Sequence, residues 1–307
     1  MKAFFTRLVV AAGIPLILIA LIGTAFRDNG VADSTILFEG DSIYNHITIR
    51  EAGGVRCMLF GRLRDNRETC IRIDAPDVSI FEYTAMMFTG FFFARKPERV
   101  LLIGLGGGYI PLVFKTHLHH VMLDVVEVDP LVAKLAGRYF DFSPSGNVTL
   151  DIRDGRQFLK KSHDSYDHIW IDAFNSDYIP SHMTTREFLL LTKTRLNEGG
   201  IVVQNVHNDN RLFDAQVATF RSVFRHVFLF KGKLSSNTII VAADDPLYKP
   251  QDFRRQAGRF VGKIGAIDLA EQLAKYDPDP EIRTAPVLTD DYSPANLWIH
   301  KKRGVPR

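Results

Sequence analysis

Glycines and acidic residues follow four successive apolar segments of the chain, and their types indicate where its chemistry lies. The first segment, residues 98–103, runs into a glycine cluster, and the later ones are followed by carboxylates. Apolar strands that alternate with helical stretches are typical of a parallel sheet covered on both faces. Ligands of such sheets bind at the carboxyl ends of the strands. The residues concerned are Gly104, Gly106, Gly107, Gly108, Glu127, Asp129, Asp154, Gly155 and Asp172.

These residue types predict a nucleoside site. The glycines let the backbone approach a ligand, and Glu127 is placed to accept hydrogen bonds from both ribose hydroxyls. Asp154 is placed to receive the exocyclic amine of an adenine. No lysine or Ser/Thr follows the glycines, so the loop is not a triphosphate loop. A dinucleotide would also fit, but the carboxylates at Asp154 and Asp172 favour a nucleoside with a sulfonium cation, as in S-adenosylmethionine.

The N-terminus predicts a membrane anchor or a signal. An uncharged, mostly apolar run over residues 8–26 follows Lys2 and Arg7. Its length approaches the roughly 20 residues of a membrane span, so we favour an uncleaved transmembrane helix. Cleavage is the alternative, because Gly23 and Ala25 give a small-x-small pattern. The positive-inside rule places the N-terminus in the cytoplasm and the soluble part outside the cytoplasm.

The sequence divides into four parts. Residues 1–27 are the anchor or signal, and residues 28–75 alternate in the manner of a small antiparallel β domain. Residues 76–97 are predicted to be a connecting helix. Residues 98–307 are predicted to form the nucleoside-binding α/β domain that carries the catalytic residues.

The charge and the histidine positions bear on two classes of partner, nucleic acids and metal ions. The formal net charge is only +3, and no concentrated basic stripe with interleaved aromatic residues is present, so no nucleic-acid partner is expected. His117, His119 and His120 have no carboxylate or cysteine at ligand spacing, so no metal is expected.

Two cysteines lie on predicted strands of the β domain. Cys57 and Cys70 are in segments that read as the two strands of a hairpin. A disulfide between them would fit an exported domain. Two small, semi-buried thiols are an equally good interpretation.

Several stretches together give the chain a family resemblance, namely DSIYNHITIRE, FEYTAMM, RVLLIGLGGG, VVEVDP and DGRQFL…YDHIWIDAFNSDYIP. With them, residues 40–210 resemble the spermidine synthase family of aminopropyltransferases, in particular a bacterial membrane-associated spermidine-synthase-like branch. The resemblance implies an S-adenosylmethionine-methyltransferase-like Rossmann domain after a small antiparallel β domain. It implies that decarboxylated S-adenosylmethionine donates an aminopropyl group to a diamine such as putrescine, releasing methylthioadenosine. Family members are often dimers or tetramers, so a homodimer is expected.

The resemblance also implies roles for single residues. Asp172 matches the catalytic aspartate, which holds the attacking amine and accepts its proton. Tyr83 matches a tyrosine on the substrate-facing helix. Asp177 and Tyr178 lie on the loop that closes over the substrates. The nucleoside contacts of the family fall on Glu127 for the ribose and Asp154 for the adenine.

The polyamine half of the site departs from the family pattern. Gly107 stands where synthases usually have an aspartate that grips the donor's aminopropyl ammonium. The usual Tyr-Gln pair is Tyr44-Asn45, and the usual Gln-Glu after the helix tyrosine is Thr84-Ala85. Fewer acids suit a doubly charged diamine poorly, whereas the nucleoside half of the site is intact.

The departures leave two alternative functions open. One is an S-adenosylmethionine-dependent methyltransferase on the same fold, with S-adenosylmethionine itself as the donor. The other is a membrane-tethered module that binds a nucleoside without catalysis. An exported domain favours the second alternative, because S-adenosyl donors are made in the cytosol. Fold-level analogy does not choose among these functions.

Overall fold

The computed structural model describes residues 34–61, 67–93, 97–173, 179–245, 248–249, 253–258 and 262–303. The predicted anchor or signal, residues 1–27, lies outside the described residues, and so do Asp177 and Tyr178. Within the described ranges, no helix is both long enough and apolar enough to cross a membrane.

An N-terminal sheet of four antiparallel strands precedes the larger part of the fold. Its strands lie in sequence order: β1 (Thr35–Asp41), β2 (His46–Ala52), β3 (Val55–Phe60) and β4 (Arg67–Arg72). Gly53 and Gly54 connect β2 to β3 with φ angles of 56° and 74°. A two-residue hairpin turn of type I′ requires positive φ at both positions, which explains the glycine pair.

The two cysteines form a disulfide across this sheet. Cys57 on β3 and Cys70 on β4 are directly opposite each other, with their Cα atoms 4.1 Å apart, and their sulfurs are bonded. Both are buried, in a small apolar cluster with Leu59. The structure therefore selects the disulfide over two separate thiols.

The larger sheet has eight strands in the order β14-β10-β11-β9-β8-β5-β6-β7. The five strands from β9 to β7 are parallel, and β11, β10 and β14 continue the sheet antiparallel. The strands are β5 (Arg99–Ile103), β6 (Met122–Glu127), β7 (Val148–Ile152), β8 (Tyr166–Ile171), β9 (Leu196–His207), β10 (His226–Lys231), β11 (Asn237–Ala243) and β14 (Tyr276–Asp277); β12 (Lys263–Ile264) and β13 (Ile267–Asp268) pair separately. The chain reverses its direction across the sheet between β5 and β8. This is the switch point at which open α/β sheets bind ligands.

The helices cover both faces of this sheet. They are α1 (Glu82–Met86), α2 (Tyr109–His117), α3 (Pro130–Tyr139), α4 (Gly155–Lys161), α5 (Arg186–Lys193), α6 (Leu212–Arg221), α7 (Phe253–Ala257), α8 (Leu269–Leu273) and α9 (Ala295–Trp298), with 3₁₀ helices at Met87–Phe92 and Ser181–Met183. The predicted mixed α/β architecture, with a small antiparallel sheet at its N-terminal side, is confirmed.

The connecting helix is shorter than the predicted range of residues 76–97. Helical structure begins at Glu82, because the preceding Phe81 is extended (φ −93°, ψ 128°). The hydroxyls of Ser79 and Thr84 both donate to the Phe81 carbonyl, at 2.7 Å each. After Met86 the helix tightens into 3₁₀ geometry.

Alternation along β8 decides which face of the sheet carries the site. Trp170 packs in the apolar cluster that includes Phe88 and Phe114, whereas Ile171 packs on the opposite face with Phe188. Successive side chains of a strand point to opposite faces. Asp172, the next residue, is therefore expected on the Trp170 face, where α1 and the 3₁₀ helix after it also pack.

Candidate active site

The glycine loop follows β5 and lies against the end of β8. Gly104 has a φ of 105°, and a Cβ atom there would lie 2.2 Å from the main-chain oxygen of Asp172. Only glycine fits such a position. The Gly104 N–H donates to the Val126 carbonyl (2.8 Å), and the Asp172 N–H donates to the Ile103 carbonyl (2.9 Å). The structure thus brings the predicted loop and the predicted base into contact.

Glu127 ends β6 and holds the same loop. Its Oε2 accepts from the N–H of Leu105 at 2.9 Å, and its Oε1 accepts from the N–H of Asp129 at 2.8 Å. The side chain is buried, and this burial raises the pKa of its carboxyl. A carboxylate oxygen can accept more than one hydrogen bond. Glu127 can therefore fix the loop and receive ribose hydroxyls at the same time.

The rest of the loop is packed against the N-terminal sheet. A Cβ atom on Gly107 would lie 2.6 Å from Cγ2 of Thr69 on β4 and 3.1 Å from the ring of Phe140. Gly106 and Gly108 have positive φ (52° and 82°), and Gly108 immediately precedes α2. The threonine side chain thus fills the space that a larger residue at 107 would need.

Asp129 joins the N-terminal sheet to the carboxyl edge of the larger sheet. Its Oδ1 caps α3 by accepting from the N–H of Leu131 (2.9 Å), and its Oδ2 accepts from the hydroxyl of Ser42 (2.5 Å). The Ser42 Oγ in turn accepts from the N–H groups of Tyr44 and Asn45. Asp129 therefore positions the loop that carries the two predicted substrate residues.

Asp154 and Gly155 begin α4 beside this edge. The Oδ1 of Asp154 caps the helix by accepting from the N–H of Gln157 (2.9 Å), and its Oδ2 lies 2.8 Å from Nε2 of His182. The His182 hydrogen bond lowers the pKa of the Asp154 carboxyl. A Cβ atom on Gly155 would lie 2.4 Å from Cγ2 of Ile103, so glycine lets α4 pack closely on β5.

On this side of the site, the C-terminal tail forms an ion pair that was not predicted from the sequence. The guanidinium of Arg156 donates to both carboxylate oxygens of Asp290, at 2.7 and 2.6 Å, and also to the carbonyl of His182 (2.9 Å). Thr185 donates to the same Asp290 (2.7 Å). The tail thereby holds the segment that carries His182. The available signal was the tail motif LTDDYSP, whose second aspartate is Asp291 and whose first is Asp290.

Asp172 lies at the switch point between β5 and β8. Burial raises the pKa of its carboxyl to about 6, and the hydrogen bond from Asn205 acts in the opposite direction. The donor is the Nδ2 atom of Asn205, 3.0 Å from Oδ1 of Asp172. A carboxyl with this pKa is mostly ionised at neutral pH and can accept a proton from an amine.

Tyr83 lies on α1, beside a glutamate that fastens the helix. Its ring stacks on that of Phe81 at a centroid distance of 6.0 Å. The neighbouring Glu82 accepts from the main-chain N–H groups of Lys233 (3.0 Å) and Leu234 (2.8 Å). These contacts fix the helix that carries Tyr83 to the β10–β11 hairpin.

Shared contacts link most of the predicted residues into one region along the carboxyl edge. Gly104 touches Asp172, Glu127 binds both the glycine loop and Asp129, and Asp129 holds the Tyr44 loop. Among the described residues, no group of three or more metal-ligating side chains is assembled.

Comparisons with known proteins identify the family. The family model for the spermine/spermidine synthase domain matches residues 80–236. A polyamine aminopropyltransferase from Vibrio vulnificus is 37% identical over 293 residues, which cover 92% of this chain and 97% of that protein.

Solved structures share the fold. A probable spermidine synthase from Corynebacterium glutamicum matches with a TM-score of 0.60 at 20% identity, over 83% of this chain and 99% of that one. Human Methyltransferase-like protein 13, in complex with SAH, matches with a TM-score of 0.53 at 22% identity, over 69% of this chain and 99% of that one. The fold is therefore the Rossmann-like methyltransferase fold. The family model covers half of the chain and the Vibrio relative nearly all of it, so the chain belongs to the spermine/spermidine synthase family.

Proposed function

We propose that the protein is an aminopropyltransferase that moves the aminopropyl group of decarboxylated S-adenosylmethionine to a diamine such as putrescine. The observation that carries this proposal is the position and ionisation of Asp172. Its main chain lies at the switch point beside the glycine loop, and its carboxyl has a pKa of about 6. Such a carboxyl is mostly ionised at neutral pH and can accept a proton from an amine.

The donor nucleoside is assigned to the first three strand ends of the parallel sheet. Glu127 receives the ribose hydroxyls, and Asp154 receives the 6-amino group of adenine when His182 yields its Oδ2 atom. The loop of Gly104, Gly106, Gly107 and Gly108, followed by α2, approaches the sulfonium end of the donor. The carboxylates around this region favour a cation there.

The acceptor amine attacks the carbon next to the sulfonium. A nitrogen–carbon bond forms while the carbon–sulfur bond breaks, and its electron pair stays on sulfur as methylthioadenosine leaves. The amine loses one proton, which Asp172 accepts. We assign acceptor contacts to Tyr44 and Asn45 on the β1–β2 loop, to Tyr83 on α1, and to Asp177 and Tyr178 before the 3₁₀ helix Ser181–Met183.

The test is a donor comparison with the full chain. We expect release of methylthioadenosine from decarboxylated S-adenosylmethionine only when a diamine is present. Asp172→Asn should lower kcat by about 100-fold or more, as loss of a general base does, and should leave nucleoside affinity nearly unchanged. Asp164→Asn is the matched control, because Asp164 pairs with Arg99 near the opposite end of β8.

The outcomes separate the candidate functions. Full activity of Asp172→Asn would remove Asp172 as the base. Methyl transfer from S-adenosylmethionine, without use of the decarboxylated donor, would replace the proposal by a methyltransferase. Binding of neither donor would leave a tethered module without catalysis.

We further propose that the apolar run at residues 8–26 anchors the protein in a membrane and that the protein forms a homodimer. The positive-inside rule and the Cys57–Cys70 disulfide favour a domain in an oxidising compartment outside the cytoplasm, to which a donor made in the cytosol would have to be delivered. Labelling with a maleimide before and after reduction, in cells, tests the compartment, since thiols that react without reduction would contradict it. Sedimentation of detergent-solubilised protein tests the dimer, and a monomeric mass would contradict it.

A further inference from the structure

Hydrogen bonds join the proposed base, Asp172, in a line to two further side chains on neighbouring strands of the sheet. Asn205 on β9 donates from Nδ2 to Oδ1 of Asp172 at 3.0 Å. Asn237, the first residue of β11, donates from Nδ2 to Oδ1 of Asn205 at 2.9 Å. Both asparagines are buried, with 5% and 7% of their surface exposed. Buried amides that connect in this way define one another's orientation.

The direction of this line follows from the chemistry of its members. An ionised carboxylate can only accept hydrogen bonds, so Asn205 must turn its Nδ2 toward Asp172. The Oδ1 atom of Asn205 then faces Asn237, which must present its own Nδ2. Asn237 is itself anchored in the β10–β11 hairpin, because its main-chain carbonyl accepts from the N–H of Gly232 at 2.8 Å.

The line leaves one oxygen of Asp172 for the reaction. Oδ1 accepts from Asn205, so we assign the amine to Oδ2, the oxygen that this hydrogen bond does not use. Burial and the Asn205 bond are the two influences on the pKa of this carboxyl, and the second favours the anion. Titratable side chains on the neighbouring elements are Arg99 on β5, Tyr166, Asp167 and His168 on β8, Glu198 and His207 on β9, and Glu82 and Tyr83 on α1.

Burial disfavours a positive charge on both histidines. It lowers the pKa of His168 to about 3, so His168 is neutral in the working range, and it also lowers the pKa of His207. Glu82 is engaged by the main chain of the β10–β11 hairpin. The group that stabilises the ionised carboxylate of Asp172 is therefore the neutral amide of Asn205 and not a cation.

We infer that Asn205 and Asn237 are positioning residues, which orient the carboxylate of Asp172 and keep it ionised for proton transfer. This inference rests on the proposed function, in which Asp172 is the base. It concerns two residues that lie 33 and 65 positions after Asp172 and that carry no charge of their own.

The experiment follows the ionisation of Asp172 in the full chain with three variants. Carbon-13 NMR of labelled aspartate carboxyls, assigned with Asp172→Asn, gives the midpoint directly, and the pH profile of kcat/KM gives its effect on turnover. Asn205→Ala should raise the midpoint by about one pH unit, since a hydrogen bond to a charged group has that size. Activity should then fall about five-fold at pH 6 and less than two-fold at pH 9, with the nucleoside KM unchanged.

Asn237 provides a test of orientation. Asn237→Ala should shift the midpoint upward by less than Asn205→Ala does. Asn237→Asp accepts only, so it should turn the Asn205 amide and present its oxygen to Asp172. We therefore expect a larger upward shift from Asn237→Asp than from Asn237→Ala. His207→Gln, which removes the titratable group at this end of β9, should leave the midpoint of Asp172 unchanged.

The outcomes distinguish this inference from the proposed function. An unchanged Asp172 midpoint in a folded Asn205→Ala variant overturns it, and so do equal shifts from the two Asn237 variants. If the wild-type protein transfers no aminopropyl group, the proposed function fails, and the NMR titration still reports whether the amides control the carboxyl. Should Asn205→Ala not fold, the ordering of the two Asn237 variants decides.

Discussion

Thr69 on β4 packs against Gly107 in the glycine loop, so that a Cβ atom at position 107 would lie 2.6 Å from the threonine Cγ2 and 3.0 Å from its Oγ1. The family aspartate that the sequence lacks at this position therefore has no room in this chain. On the N-terminal sheet, the Thr69 side chain occupies the space beside the glycine loop that a side chain at position 107 would enter.

The first prediction concerns this pair. Gly107→Asp alone should lower the free energy of unfolding by about 1–3 kcal/mol, because it inserts atoms into a packed contact. Combining it with Thr69→Ala should recover stability and tighten binding of the decarboxylated donor, whose ammonium would then meet a carboxylate. Thermal melting and calorimetric titration measure both effects, with Thr69→Ala alone as the control. Equal donor affinity in the double variant and in the control would show that position 107 does not face the ammonium.

The second prediction is a stability cost at Asp172. Its pKa is raised from 3.8 to about 6 in the folded protein, so the folded state binds the proton more tightly than the unfolded chain. The free energy of unfolding should therefore decrease as pH rises from about 4 to 6, and stay decreased above, by about 2–3 kcal/mol from this group. Asp172→Asn removes this dependence.

Urea denaturation at pH 4 and pH 8 measures the effect. From pH 4 to pH 8, we expect the free energy of unfolding of Asp172→Asn to increase relative to that of the wild-type protein. A difference between the two proteins that does not change with pH would contradict a raised pKa.

The third prediction assigns the ribose to Glu127. The wild-type protein should bind 2′-deoxy-methylthioadenosine more weakly than methylthioadenosine, and Glu127→Ala should bind both with equal, low affinity. The variant should also lose about 2–4 kcal/mol of stability, because the N–H groups of Leu105 and Asp129 lose their buried acceptor. Calorimetry with the two nucleosides gives the comparison. Discrimination that persists in Glu127→Ala would place the ribose elsewhere.

The fourth prediction concerns the adenine side. Asp154 can accept from the 6-amino group of adenosine but gains nothing from the 6-oxo group of inosine. Preference for methylthioadenosine over methylthioinosine should thus disappear in Asp154→Asn. His182→Ala should raise adenosine affinity about two- to five-fold, since it releases the Oδ2 atom that now meets His182. If His182→Ala binds more weakly instead, the histidine is a nucleoside contact rather than a competitor.

The carboxyl-edge residues could be predicted from sequence because strand ends and glycine turns are local features. An apolar segment followed by glycine or an acid locates Gly104, Glu127 and Asp172 without knowledge of their partners. The partners themselves are set by tertiary packing. The sequence therefore predicted Glu127 as a ribose ligand but not as the group that holds the Leu105 and Asp129 amides.

The amide line behind Asp172 shows the same limit. Asn205 and Asn237 lie on antiparallel strands, and their meeting depends on a register that no short motif encodes. The one available signal was a pair of amides, Gln204-Asn205, between the apolar residues Val203 and Val206 of β9. The connecting helix is shorter than predicted for a different reason, because Phe88 and Phe92 are buried in 3₁₀ rather than α geometry.

The bidentate pair between Arg156 and Asp290 joins residues that are 134 positions apart. During synthesis, α4 therefore leaves the ribosome well before the carboxylate that its buried guanidinium requires. Only when the last part of the chain has emerged can Arg156 be neutralised and the His182 segment be fastened. The proposed adenine side of the site therefore depends on a residue near the end of the chain, and a chain interrupted before Asp290 would carry the glycine loop and Asp172 without the partner of Arg156.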